Sequence, residues 1–281
     1  MPTTDREPPN IDELRDRAYQ LRRMMMTMTR GKGEGYIAQG LGIADCLAAL
    51  YFHELRHDPE RPDWPERDRF LLSTGHYSIA MYAVLAAAGY IEEDELPTYG
   101  LNGSRLPMST FDDTVGVEIV GGSLGHGLGQ AVGMSLGLRL DDSPGRVYVE
   151  ISDGELDEGS TWEAAMAGAT FGCDNLVVLI DCNGIQADGP VTVAIEPVAD
   201  KFTAFGWSTT EIDGNDMSAL VEALEKSRVS DGKPKAIVMR TTPGSGVPTI
   251  VDRPRAHFVR VTDDEWAGLV QELEDNRDVH A

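Results

Sequence analysis

Three short runs, "RVYVEIS" (146–152), "NLVVLIDC" (175–182) and "PKAIVMR" (234–240), are apolar at nearly every position. A strand with one wet face alternates apolar and polar residues. Runs like these are buried on both faces, the habit of a parallel sheet layered between helices. Helical periodicity fills the intervals, in "EGSTWEAAMAGATF" (158–171), a segment near 197–205 and "MSALVEALEKSR" (217–228). Apolar spacing predicts further helices over Ile11 to about Thr29, "GIADCLAALYFHEL" (42–55), "YSIAMYAVLAAAGY" (77–90), "LGHGLGQAVGMSLGLRL" (124–140) and roughly 262–274. "DRFLLSTGH" (68–76) and "WSTTEID" (207–213) add strands. The fold class that follows is α/β, a mostly parallel sheet with helices on both faces. "RGKGEGYIAQG" (30–40) reads as a Gly-rich loop, 90–122 as an irregular surface excursion, and 1–10 as a loose arm ahead of one domain over 11–281.

Composition narrows the function classes. The formal net charge of −23 argues against nucleic acid as a partner, because phosphate backbones are held by Lys and Arg. No run approaches the ~20 apolar residues of a membrane-spanning helix, so no membrane partner is expected. The first residues lack the apolar centre of a signal peptide. Cys46, Cys173 and Cys182 are odd in number and lack metal-type spacing, and are expected as buried thiols in a reducing cytoplasm. His53, His57 and His280 are expected at the surface or in loops.

The end of the first apolar run carries the chemistry. In "YVEISDGELDEGSTWEAA" (148–165), Asp153, Glu155, Asp157 and Glu158 crowd a turn between a strand and a helix. One reading is a solvated acidic turn that caps the helix; the other is a turn that holds a divalent cation. Ligands of open parallel sheets sit beyond the C-terminal strand ends. Asp153 follows one such end and Asn183 the next, so adjacent strands would bring both into one crevice. A carboxylate with an amide oxygen suits Mg²⁺, or Ca²⁺ in its place, and not zinc. Gly154 would let a diphosphate approach the backbone, and the following helix offers N–H groups to an anion. Asp157 and Glu158 are explained as favourable helix N-terminal charges. The glycines of "GHGLGQAVG" mean close helix packing or a cofactor site; lying inside a helix, they make a poor dinucleotide fingerprint.

"SDGELDEGSTWEAAMAGATFGCDNLVVLIDCNGIQADG" resembles the thiamin-diphosphate signature of transketolases. "LLSTGHYSIAMYAVLAAAGY" resembles the segment around that family's cofactor-binding histidine, and "GVEIVGGSLGHGLGQAVGMSLGLRL" the segment beneath the cofactor ring. The resemblance runs from about residue 12 to 275, with the three motifs in order, and covers only the N-terminal, diphosphate-binding part of a transketolase, as in split two-subunit forms. It implies thiamin diphosphate and Mg²⁺ as cofactors, and as partner a C-terminal subunit carrying the pyrimidine-binding domain in an α2β2 assembly. It implies transfer of a two-carbon ketol unit from a ketose donor to an aldehyde or other acceptor. By the same resemblance, Asp153 and Asn183 would ligate the metal by side chain and Ile185 by its carbonyl. Gly154 and Glu155 would lie against the diphosphate. Gly122, Ser123 and Leu124 would meet the cofactor ring. His76 would contact the diphosphate or the reacting centre, and His257 the substrate.

The departures fall on the substrate side. Tyr36 stands where the family's Ser-Gly-His histidine is expected, the middle loop "NGSRLPMSTFDD" has no histidine, and His126 replaces a glutamine in the ring-binding motif. Tyr36 and His126 are therefore candidate replacement donors, and Arg30, Lys32 and Arg105 candidate phosphate contacts. Three outcomes are open: an active transketolase, a related ketol or acyl transferase of a specialised biosynthetic pathway, or a cofactor-binding paralogue without turnover.

Overall fold

The computed structural model describes residues 10–187, 189–191 and 193–277. Five strands form one sheet: β1 (Arg69–Leu72), β2 (Val147–Ser152), β3 (Leu176–Cys182), β4 (Ser208–Asp213) and β5 (Lys235–Arg240). They lie in the order β1-β2-β3-β5-β4, and every pairing is parallel. The expected α/β architecture is therefore present. β2 and β3 are buried at every position because both faces are covered.

Alternate side chains serve two cores. Val147, Val149, Ile151, Val178 and Ile180 face a layer built from α5 (Gly127–Leu140), α6 (Gly159–Thr170) and α7 (Val198–Ala204). Tyr148, Val177, Leu179 and Met239 face the opposite layer. That layer contains α1 (Ile11–Lys32), α2 (Ile37–Gly42), α3 (Ala44–Ala49), α4 (Ser78–Ala87), α8 (Met217–Ser227), α9 (Pro248–Val251) and α10 (Asp263–Asp275). No helix among the described residues is long and apolar enough to cross a membrane.

Several boundaries differ from expectation. The Gly-rich stretch 30–40 is not one loop. α1 runs on to Lys32 and stops at Gly33, whose left-handed backbone (φ 76°) returns an N–H to Thr29 O. α2 then begins at Ile37, inside the expected loop, because its apolar residues bury completely. The helix expected over 42–55 breaks at Ile43 and closes in a π turn, Leu50–Glu54. The helix expected from residue 124 starts at Gly127, which leaves Leu124 and His126 ahead of it. The excursion 90–122 is irregular apart from a 3₁₀ segment, Glu93–Thr98, but it is not merely superficial, since Leu96, Tyr99 and Leu106 are buried. Residues 1–9 of the expected arm and His280 lie outside the described residues. The three cysteines are free and buried, as expected.

Candidate functional site

Two strand ends build the site. β2 and β3 run in register, with Ser152 beside Asp181, and Asp153 N donates to Asp181 O at 2.9 Å. Asp153 and Asn183 therefore share one crevice, as their positions after adjacent strands required. Asp153 Oδ1 accepts from Gly154 N (2.8 Å) and Oδ2 from Gly184 N (2.6 Å), which fixes the carboxylate across the two turns. Burial, then the charge of Asp181, pushes its pKa up to about 7. A buried carboxyl of that kind gains from a cation beside it.

Asn183 is held at the same point by a chain of hydroxyl and carboxylate. Its Nδ2 donates to Asp181 Oδ2 (2.6 Å) and to Tyr77 Oη (2.9 Å), while Tyr77 Oη donates to Asp181 Oδ2 at 2.9 Å. Asp181 takes a further bond from Thr241. With both acceptors on the amide nitrogen, the oxygen is turned the other way, where it accepts from Ile185 N at 3.0 Å. An oriented amide oxygen beside a buried carboxylate is a hard-oxygen donor set. Among the described residues no three His, Cys, Asp or Glu side chains gather around a metal-sized position. One carboxylate, one amide and a backbone carbonyl agree with the habit of Mg²⁺, which takes few carboxylates and fills its octahedron with water and phosphate oxygens. The residues present thus fit the ion that the sequence implied.

Beside these turns lies a cavity of about 270 Å³. His76, Leu124, Gly154, Ile185 and His257 line it, with Gln186 and the exposed Asp157 and Glu158 at one side. No Lys or Arg does. His76 reaches it on a 3₁₀ turn, Gly75–Tyr77, that follows β1. That turn passes so close to the 119–122 segment that a Cβ on Gly75 would stand 2.3 Å from Gly121 C, so glycine is required there.

The short ladder of Glu34–Gly35 with Val259–Arg260 carries Tyr36 to the same place. Tyr36 lies edge-on to His76 (4.7 Å between ring centres), His257 (5.3 Å) and Phe258 (5.2 Å), and the two imidazoles are 5.5 Å apart. Burial, then His257, pushes His76 down to about 3, so at neutral pH its imidazole is uncharged. His257 Nδ1 meets Gln39 Nε2 at 2.8 Å. The Gln39 amide thus fixes the orientation of the His257 ring.

The structure thus gathers His76, His257, Tyr36, Leu124, Gly154 and Ile185, with Asp153 and Asn183 at one edge. It leaves four other expected site residues outside that group. His126 is exposed at the start of α5, outside the cavity lining; the helix begins three residues later than its periodicity suggested. Gly122 and Ser123 are exposed beside Leu124. Glu155 is fully buried and its carboxylate turns inward, taking bonds from Ser73 Oγ and Gly125 N (2.8 Å). It shapes the 122–127 loop, and only its backbone remains for a bound anion. Arg105 pairs with Glu95 (2.6 Å), Lys32 with Glu34 (4.0 Å), and Arg30 covers Trp266 (4.7 Å); none lines the cavity. His53 is a mostly buried partner of Glu225 rather than a surface residue, and His57 bonds Tyr90 and Tyr51 O.

Sequence reasoning missed Tyr77, Asp181 and Gln39. Asp181 had a signal, a lone acid in an otherwise apolar strand; Tyr77 and Gln39 looked like ordinary core and helix residues.

Comparison with known proteins agrees with this geometry. Residues 15–277 match the family model described as "Transketolase, thiamine diphosphate binding domain". A transketolase family protein of Sinorhizobium fredii is 52% identical over 92% of this chain and 94% of its own length. The 6-deoxy-6-sulfo-D-fructose transketolase subunit of a Clostridium species is 38% identical over 93% of this chain and 96% of its own. The crystal structure of Campylobacter jejuni transketolase superposes with a TM-score of 0.88 at 29% identity, covering 96% of this chain but 43% of that one. The chain therefore spans nearly the whole of the two relatives and less than half of the solved transketolase.

Proposed function

The chain belongs to the transketolase family, matching its thiamine-diphosphate-binding domain, and we propose that it is one subunit of a two-component, thiamin-diphosphate- and Mg²⁺-dependent transketolase. With a second subunit that carries the pyrimidine-binding domain, in an α2β2 assembly, it would move a two-carbon ketol unit from a ketose donor to an aldehyde acceptor. The observation that carries the reading is the meeting of Asp153 and Asn183 at the adjacent ends of β2 and β3, beside a cavity lined by His76 and His257. The near-complete match to a relative that is itself named a subunit supports the split organisation.

Each residue then has a task. Asp153, Asn183 Oδ1 and the carbonyl of Ile185 hold Mg²⁺. Gly154 and the backbone of Glu155 lie along the diphosphate. Leu124, flanked by Gly122 and Ser123, supports the ring from a segment that the second subunit covers. Thiamin diphosphate supplies, when bound, a carbon nucleophile and an electron sink. The uncharged ring of His76 and the ring of His257 orient the hydroxyls and carbonyl of a sugar by hydrogen bonds. Tyr36 packs the two imidazoles into one arrangement and takes the place of the family's histidine. His126 lies outside the cavity lining, on the exposed segment that also carries Gly122 and Ser123. No Lys or Arg among the described residues lines the cavity, so an anionic group at the far end of a sugar would be anchored by the second subunit.

Calorimetric titration of thiamin diphosphate with Mg²⁺ into the chain, alone and mixed with its candidate partner, tests the reading. Heat that appears or strengthens only in the mixture is expected. A folded chain in a verified complex that takes up no cofactor would refute the assignment.

A further inference from the structure

At the opposite end of the sheet lies a cavity of about 350 Å³ that the transketolase reading leaves unused. It opens where the chain enters β2 and β3, next to Arg146 and Asn175. Arg56, Arg139, Arg146 and Arg228 all line it, a local excess of cations in a chain with 24 Lys and Arg against 47 Asp and Glu.

Two of the four are matched by acids. Arg56 pairs with Asp68 at 3.2 Å and Arg228 with Glu54 at 2.5 Å. The other two spend hydrogen bonds on carbonyl oxygens: Arg139 Nη1 on those of Phe171 (2.9 Å) and Gly172 (2.8 Å), and Arg146 Nη2 on that of Ser227 (2.6 Å). Neither forms an ion pair among the described residues. Arg146 Nε is buried and has no hydrogen-bond partner among them. The remaining acid of the lining, Asp174, accepts from Ser230. Four guanidinium groups thus line the cavity with three carboxylates, and two of the four have no acid partner among the described residues, an imbalance that an anion would offset.

We propose that this cavity binds a phosphate group, either free inorganic phosphate or that of a small phosphorylated metabolite. Arginine is the residue suited to such groups. Arg139 and Arg146 each have part of the guanidinium fork committed to carbonyls. A tetrahedral oxyanion, which takes single N–H groups from several directions, fits them better than a carboxylate that needs a whole planar fork. The volume is in the range of small-molecule pockets, roughly 300–1,000 Å³, and exceeds what a bare phosphate fills. The proposal does not rest on the cofactor assignment, since the two cavities share no residue.

The test titrates inorganic phosphate calorimetrically into the full chain at constant ionic strength, with sodium chloride as the parallel titrant. Phosphate could also enter the cofactor cavity, so three variants locate it. Arg146→Gln and Arg139→Gln should each weaken saturable binding about tenfold or more, the worth of one charge-assisted hydrogen bond, while His76→Gln should leave it intact. Circular dichroism and melting checks folding, and Arg146→Lys, which keeps the charge, should retain part of the affinity. Tighter binding of glycerol phosphate than of inorganic phosphate would assign the site to a metabolite, and equal affinity to the free ion. Absence of saturable heat, equal heat from chloride, or binding that survives both glutamine variants and fails in His76→Gln would overturn the proposal.

Discussion

The two ends of one parallel sheet are chemical opposites. Beyond the C-terminal ends of β2 and β3 stand buried carboxyls, an oriented amide and the uncharged imidazole of His76, with no Lys or Arg among the described residues that line the cavity. Before the N-terminal ends stand four arginines, two of them bonded to carbonyls instead of acids. The same strands thus run from an arginine-lined entrance to an acid-lined exit. Each end is defined by what it lacks: the exit needs a cation, the entrance an anion. The exit also has the more elaborate scaffold, with a backbone crossing at Gly75 and Gly121 and a hydroxyl–carboxylate–amide chain behind Asn183.

Removing the exit's carboxylate should break the contrast most completely. Asp153→Ala deletes the one buried side-chain charge proposed for the metal and the acceptor that joins Gly154 to Gly184. Mg²⁺-dependent cofactor uptake should fall by more than the ~10–100-fold that loss of an outer partner costs. Uptake within a few-fold of the parent chain, measured calorimetrically with the partner present, would show that the charge is not the anchor. Tyr77→Phe asks how much the scaffold adds. It leaves Asp181 and Asn183 in direct contact but deletes the hydroxyl between them, so the metal's apparent affinity should drop about tenfold. The readout is Mg²⁺ concentration dependence at saturating cofactor; a loss of turnover at unchanged Mg²⁺ affinity would exclude a positioning role.

Gln39→Leu should act more weakly, on the imidazoles alone. Without the amide, Nδ1 of His257 loses the partner that helps to fix the ring's orientation. KM for the donor should then rise a few-fold, with kcat and cofactor affinity nearly unchanged. An effect confined to kcat would place His257 in proton transfer rather than substrate orientation.

These residues were unequally legible in the sequence. Asp153 and Asn183 could be found because strand continuity and strand end are local patterns, and parallel neighbours put such ends together. Tyr36, His76 and His257 came to notice through family resemblance, and only the ladder of residues 34–35 with 259–260 shows that they meet. His126 was misplaced because a run of glycines gives no sharp helix start. The entrance was invisible, since Arg56, Arg139, Arg146 and Arg228 belong to no local motif and only the fold collects them. Glu150 and Asp181 were legible and overlooked: a single acid in "VYVEIS" or "LVVLIDC" contradicts an otherwise apolar strand and demands a reason.

Glu150 lies between the two ends, on the strand they share, and gives the finest test of their separation. One of its oxygens accepts from Thr74; the other is buried without a partner among the described residues. Burial raises its pKa well above the ordinary carboxylate range, and the charges of Asp181 and Glu155 add in the same direction against the Thr74 bonds. A group whose folded pKa is raised contributes stability that is complete below its unfolded value, near 4.5, and is lost as pH climbs through the folded one. Glu150→Gln keeps the shape and cannot ionise. The chain and the variant should therefore melt at similar temperatures near pH 5, and the variant should melt several degrees higher by pH 8–9. Its advantage should shrink when Mg²⁺ and cofactor are bound, because a dication at Asp153 eases the repulsion that Asp181 shares with both acids. Parallel melting curves from pH 5 to 9 would mean that Glu150 does not titrate there. A phosphate effect as large as the metal's on the same curves would mean that the strand couples its two ends, and that the separation drawn above is one of position only.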